Sequence, residues 1–197
     1  VKKNVTTNIL VPTPPELVSP GAFDPRLFSL THVAPWGGAI RKNTFKWNGK
    51  PRTVAPNLPD VPLFTHGIGW LSAWTGKKDG RHSASCRLTH KANKIWPFDF
   101  TLTTVFDLEE DNLVISYELS NESRSGTMPV GLGTRMRLPR GRNTLLSAGI
   151  SSLWLEDENY VPLTMGEVPF NIDLKEGGTL ESAHSGWRMK TTFPSPW

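Results

Sequence analysis

The chain has 197 residues, 37% of them hydrophobic and 20% charged, which indicates a globular domain of ordinary size and excludes disorder along its whole length. Eight Trp and nine Phe supply large apolar surfaces to bury, and 17 Gly with 17 Pro favour many turns over long helices. The net charge is +4, and no apolar run approaches the ~20 residues of a bilayer span, so a membrane-spanning helix is excluded.

The first residues, Val1-Lys2-Lys3-Asn4, are not followed by an apolar stretch. They read as no secretory signal, and the missing initiator Met suggests a processed or partial chain of unassigned compartment. Residues 1–27 carry Pro12, Pro14, Pro15, Pro20 and Pro25. Proline fixes φ and removes a donor, so this stretch is expected as an extended arm without helix or central strand. The arm serves either as a lid on the domain's own edge or as a tether to a protein partner.

From Leu27 onward the signals are those of strands. Thr44-Phe45-Lys46-Trp47 leads into Asn48-Gly49, a strong hairpin turn signal. Cys86 is the one cysteine. It excludes an internal disulfide and a thiolate metal cluster, and it is expected as a small buried residue. Residues 100, 102, 106 and 108 are apolar with period two, as are 113, 115, 117 and 119. The two runs predict a half-buried antiparallel pair joined by the polar loop Glu109-Glu110-Asp111-Asn112.

The segment from Arg135 to Arg142 is basic but holds no aromatics. A nucleic-acid face would interleave the two, so a solvated loop or a contact with an acidic partner is expected instead. Further strands are expected over 145–155 and 186–193. No stretch shows a period of 3.6. The fold class is therefore all-β, an antiparallel β-sandwich, with residues 28–197 forming one domain after the arm.

Several motifs, taken in order, resemble the aldose 1-epimerase (galactose mutarotase-like) family. They are Gly37-Gly38-Ala39-Ile40 with Phe45 and Asn48-Gly49-Lys50, the His-Gly turn Thr65-His66-Gly67 followed by Trp70 to Trp74, and Trp96-Pro97-Phe98. Asn121 with Met128-Pro129-Val130-Gly131-Leu132-Gly133 follows, and then Leu180-Glu181 through Gly186-Trp187. The resemblance covers roughly residues 30 to 197. It implies a large antiparallel sandwich of the galactose mutarotase-like (supersandwich) type, whose concave face holds a sugar, with no metal or organic cofactor.

The family's reaction interconverts the α and β anomers of a sugar. A base takes the anomeric proton while an acid protonates the ring oxygen, so two groups of suitable pKa must flank the sugar. The resemblance puts the acid, a His, just after the Gly-Leu-Gly segment, where this chain has Arg135. Arginine does not release its proton near neutral pH. The family base, a Glu, lies in a segment beyond Trp187 that the chain does not contain. The last strands of the sandwich are expected to be missing with it, leaving an open sheet edge.

Of the sugar-binding residues, His66 is retained and Glu181 stands for the family Asp. Ala39 replaces a family Arg, for which Arg41 is a nearby substitute. Trp70, Trp74, Trp96 and Trp187 are candidates to stack on a pyranose or to fill the core. Arg135 and Arg137 are candidates to bind the phosphate of a hexose phosphate. His32, His82 and His90 are expected at the surface or in loops, and His184 as structural. Two functions follow: an aldose 1-epimerase-like protein that binds a hexose with weak or lost catalysis, or a non-catalytic carbohydrate-binding module or structural subunit. The second would use the arm, the basic loop and the open edge for its protein contacts.

Overall fold

A computed structural model describes residues 10–19, 22–110, 112–124, 126–137, 148–149, 153–157, 161–166, 183–184, 187–188 and 191–192. Its strands, in order, are β1 Leu30–Val33, β2 Thr44–Trp47, β3 Lys50–Thr53, β4 Thr75–Lys78, β5 Ser83–His90, β6 Phe100–Glu109 and β7 Asn112–Asn121. They continue as β8 Gly133–Met136, β9 Ala148–Gly149, β10 Leu153–Glu156, β11 Pro162–Gly166, β12 Ala183–His184, β13 Trp187–Arg188 and β14 Thr191–Thr192. Helical residues among those described are confined to short 3₁₀ turns. The chain divides into two compact units, His32–Thr134 on the one hand and Val1–Thr31 with Arg135–Trp197 on the other.

In the 32–134 unit, β2 and β3 form the expected hairpin, with Trp47 opposite Lys50 and Phe45 opposite Arg52. Asn48 at φ 49° and Gly49 at φ 74° supply the two left-handed residues that a tight turn between right-twisted strands requires. Strands β4 to β7 form a four-stranded antiparallel meander in sequence order.

Its register confirms the period-two reading. Leu102 faces Leu119, Phe106 faces Ile115 and Leu108 faces Leu113. Leu88 and Cys86 of β5 extend the same rows opposite Leu102 and Thr104. Cover along this face is uneven. Phe100, Leu102 and Thr104 are fully buried, whereas Leu108 and Leu113 at the hairpin end are 56% and 50% exposed. The strands also run on to Glu109 and Asn112, so the connecting loop is shorter than the polar run suggested.

The core of this unit gathers Ala34, Ile40, Val54, Phe64, Ile68, Leu88, Trp96, Phe98, Phe100, Leu102 and Met128. Trp96 lies at its centre, stacked on Phe64 at 5.6 Å and on Phe45 at 5.8 Å. Offset aromatic pairs at these distances add to the burial of their faces. Trp96 is thus a core residue.

Three single-residue expectations change here. His90 is buried on β5, where its Nε2 lies 3.0 Å from the Trp96 carbonyl. His32 is half-buried on β1, not superficial. A ring nitrogen can be buried when a partner satisfies it, and the period-two pattern does not reveal that partner. Cys86 is half-buried rather than buried. His82 is exposed, as expected.

In the other unit the arm is not purely extended. Pro15–Val18 and Pro25–Leu27 each make a 3₁₀ turn. Proline opens both, and at a first helical position its missing N–H costs nothing. Asp24 caps the second turn by accepting from the Arg26 N–H at 2.9 Å, and its carboxylate also pairs with the Arg26 guanidinium. Arg26 holds that carboxyl below the usual Asp value.

The arm is knitted to the start of the basic segment. Val11 donates to the Arg137 carbonyl at 2.8 Å, and Arg137 N–H donates to Ser29 at 2.9 Å. Strand β10 pairs antiparallel with β11, and β12 with β13, while β14 pairs parallel with β9.

Candidate functional site

The site grows out of a short antiparallel contact between 38–40 and 64–66. Ile40 N–H donates to Phe64 O at 2.9 Å, Ala39 bridges Thr65, and His66 N–H donates to Gly38 O at 2.9 Å. At this point the chain turns sharply. His66 has φ 57° and Gly67 φ 71°, two successive left-handed residues. The first costs about 1 kcal/mol for a residue with a side chain.

Gly67 is required for a second reason. A Cβ there would stand 2.0 Å from the Ala34 carbonyl oxygen. That same oxygen accepts from Ile68 N–H at 2.7 Å and Gly69 N–H at 2.9 Å.

The turn fixes the His66 ring. The Gly38 N–H donates to Nδ1 at 3.2 Å. A backbone N–H can only donate, so in the neutral ring Nδ1 is the bare nitrogen and Nε2 carries the hydrogen. Trp70 stands edge-on to the ring at 5.3 Å. Its own indole N–H donates to Gly67 O at 3.2 Å, and only 6% of the residue is exposed. Asn57 grips the turn from a third direction. Its Nδ2 donates to Thr65 O at 2.8 Å and Gly67 O at 2.6 Å, and its Oδ1 accepts from Thr65 N–H at 2.9 Å.

The Met128–Gly133 segment is braced on the same stretch of chain. Gly131 N–H donates to Pro35 O at 2.7 Å, and a Cβ on Gly131 would come within 3.3 Å of Gly37 N. Just beyond it lies a polar cluster. The Tyr117 hydroxyl donates to Gly133 O at 3.1 Å, meets the Thr134 hydroxyl, and lies 3.2 Å from Nδ1 of His32. Burial pushes Tyr117 up, against the lowering effect of Thr134. Burial alone pushes His32 below its ordinary value. Trp74 at 4.6 Å and Phe106 at 5.7 Å supply its apolar surroundings.

The structure therefore brings His66 and Trp70 together. Arg41 lies in an exposed 3₁₀ turn one residue beyond Ile40. Arg135 belongs to β8, in the 135–197 part of the other unit, where its guanidinium donates to Arg26 O at 2.9 Å. Arg137 donates likewise to Leu27 O. Both are half-buried, which corrects the expectation of a solvated loop at these two positions. Glu181 lies outside the described residues, as do Arg140 and Arg142 and the side chains of His184 and Trp187.

The sequence pattern gives Asn57, Gly38, His32 and Tyr117 no role in a site, although Gly38 stands within the Gly37–Ile40 motif. Tyr117 carries a signal too, as a polar tip in the inward phase of β7. A cavity of about 220 Å³ lined by Asn57, Ile68, Leu71, Ser72, His90, Asn93 and Ile95 has neither His66 nor Trp70 in its wall. Among the described residues no cluster of His, Cys, Asp and Glu is suited to a metal ion, and no helix is long and apolar enough to cross a membrane.

Comparison with known proteins bears on the fold and the family. YphB of Escherichia coli K12, itself uncharacterised, is 24% identical over 170 residues, spanning 83% of this chain and 57% of its own. The crystal structure of an E. coli K12 protein provisionally assigned as an aldose 1-epimerase superposes with a TM-score of 0.67 at 23% identity, over 79% of this chain and 53% of that one. A GalM/aldose epimerase homologue from Caenorhabditis elegans gives a TM-score of 0.53 at 17% identity, over 68% of this chain and 43% of that one.

The chain thus spans little more than half the length of the first two and less than half of the third. The two structures establish the fold as an all-β sandwich of the galactose mutarotase-like type. The family model for aldose 1-epimerase matches residues 30–176, and the chain belongs to that family.

Proposed function

We propose that this chain binds a hexose in the manner of an aldose 1-epimerase, with anomer interconversion weak or lost. His66 carries the reading. A turn of two left-handed residues, an aromatic edge and a backbone donor on Nδ1 all hold one imidazole in a set direction, with its hydrogen on Nε2. Such an N–H suits a sugar hydroxyl or ring oxygen. Trp70 serves this reading as a support for His66, because its ring is buried.

The loss of catalysis is supported by Arg135. It follows the Gly-Leu-Gly segment where an acid is needed, it holds its proton at neutral pH, and it donates to Arg26 O. Because Arg135 and Arg137 both donate to carbonyls, the unphosphorylated hexose is preferred over a hexose phosphate. Arg41 and Glu181 remain candidates for further hydroxyl contacts.

A second reading is a non-catalytic carbohydrate-binding module or the structural subunit of a larger assembly. The exposed Leu108, Leu113 and Val114 at the end of the β6–β7 hairpin favour it as a protein-contact surface.

The test follows freshly dissolved α-glucose and α-galactose by polarimetry and NMR. Saturable shift changes that His66→Ala abolishes, with little faster equilibration, are the expected result. Strong acceleration at low micromolar protein, lost in His66→Ala, would show that catalysis survives. Neither response would remove the hexose and leave the structural-subunit reading.

A further inference from the structure

We infer that Asn57 is a positioning residue for His66, setting the direction and the tautomer of the ring from a distance. The inference rests on the hexose reading only for its binding arm. The two left-handed residues, His66 and Gly67, are bracketed by the carbonyls of Thr65 and Gly67. Asn57 holds both, at 2.8 and 2.6 Å, and accepts the Thr65 N–H at 2.9 Å.

The two N–H groups of one primary amide thus grip the peptide planes on the outer sides of both strained residues, while its oxygen holds the plane before Thr65. Those planes determine φ of His66 and ψ of Gly67, and hence where the His66 Cα–Cβ bond points. The direction of that bond decides whether Nδ1 reaches the Gly38 N–H, and so which ring nitrogen keeps the hydrogen. No other side chain of this length can take the place. Asp offers acceptors alone, Ser has a single donor, and Gln carries the amide one methylene too far.

Asn43 offers an internal comparison. It too clamps the chain just before the turn, accepting from Phe64 N–H at 2.6 Å and donating to Pro62 O at 2.9 Å. It touches neither carbonyl that brackets the left-handed pair. A merely structural asparagine at 57 would behave as Asn43 does.

The experiment compares wild type, Asn57→Ala, Asn57→Asp and Asn43→Ala by ¹⁵N NMR of the His66 ring, thermal melting and titration with glucose and galactose. Wild type is expected to show the Nε2–H tautomer. Asn57→Ala and Asn57→Asp are expected to give averaged ring nitrogens and to weaken hexose binding about tenfold, since a small misplacement of a binding group has effects of that order or larger. Asn43→Ala is expected to lower the melting temperature with His66 unchanged.

Unchanged His66 nitrogens in a folded Asn57→Ala would overturn the inference, as would an equal response in Asn43→Ala. If Asn57→Ala does not fold, Asn57→Asp decides, because it keeps the acceptor for Thr65 and loses both donors. If wild type binds no hexose, the functional reading fails while the ring nitrogens still test Asn57.

Discussion

His32 and Tyr117 meet through a 3.2 Å contact between Nδ1 and the phenol oxygen, with the two rings edge to face at 5.7 Å. The apolar cover that makes this contact also discourages charge on His32, holding its pKa below the ordinary value of about 6.5. Between the lowered folded value and about 6.5, the unfolded chain binds more protons than the folded one. Stability therefore rises with pH across that window. The contribution is complete above about pH 6.5 and is lost as pH falls toward the folded value. Urea unfolding from pH 5 to 8 is expected to show this slope, and His32→Phe is expected to flatten it while keeping the contacts with Trp74 and Phe106.

Gly67 and Gly49 have nearly the same φ, 71° and 74°, but different surroundings. An added Cβ meets nothing within 4 Å at Gly49, whereas at Gly67 it meets the Ala34 oxygen at 2.0 Å. Gly49→Ala is expected to cost about 1 kcal/mol, the conformational term alone. Gly67→Ala is expected to cost at least about 3 kcal/mol and to abolish hexose binding, because backbone has to move beside His66. Denaturant midpoints of the two variants check the difference, and equal losses would show that the Ala34 contact is unimportant.

Trp96 is wholly buried between Phe64 and Phe45. Trp96→Ala is expected to lose about 3–5 kcal/mol, through lost burial and the cavity left behind. Trp96→Phe should lose clearly less. Calorimetry of both variants measures the ratio.

Arg135 donates a charged hydrogen bond to Arg26 O from a half-buried position. Arg135→Ala is expected to cost about 1–2 kcal/mol and to leave the rate of anomer equilibration where wild type has it. A fall in that rate would give Arg135 a part in the chemistry, contrary to the proposed function.

What the sequence determined is the local layer of the structure. Alternation in 100–108 and 113–119 sets strand type and inward face, since side chains point to opposite faces at every step. Asn48-Gly49 sets its turn, because few other pairs accept two positive φ values. The order of the short motifs placed the chain in its family and singled out His66.

Contacts between distant segments were decided by the tertiary structure alone. The exposure of Leu108 and Leu113 depends on which segments cover the end of a hairpin, which periodicity does not encode. The burial of His90 depends on a carbonyl six residues away, reached across a loop. The tautomer of His66 depends on Gly38 and its direction on Asn57, and nothing in the sequence pairs either residue with His66. Hydrogen bonds are short and directional, so the partners of a side chain become known only once the backbone has brought them within about 3 Å.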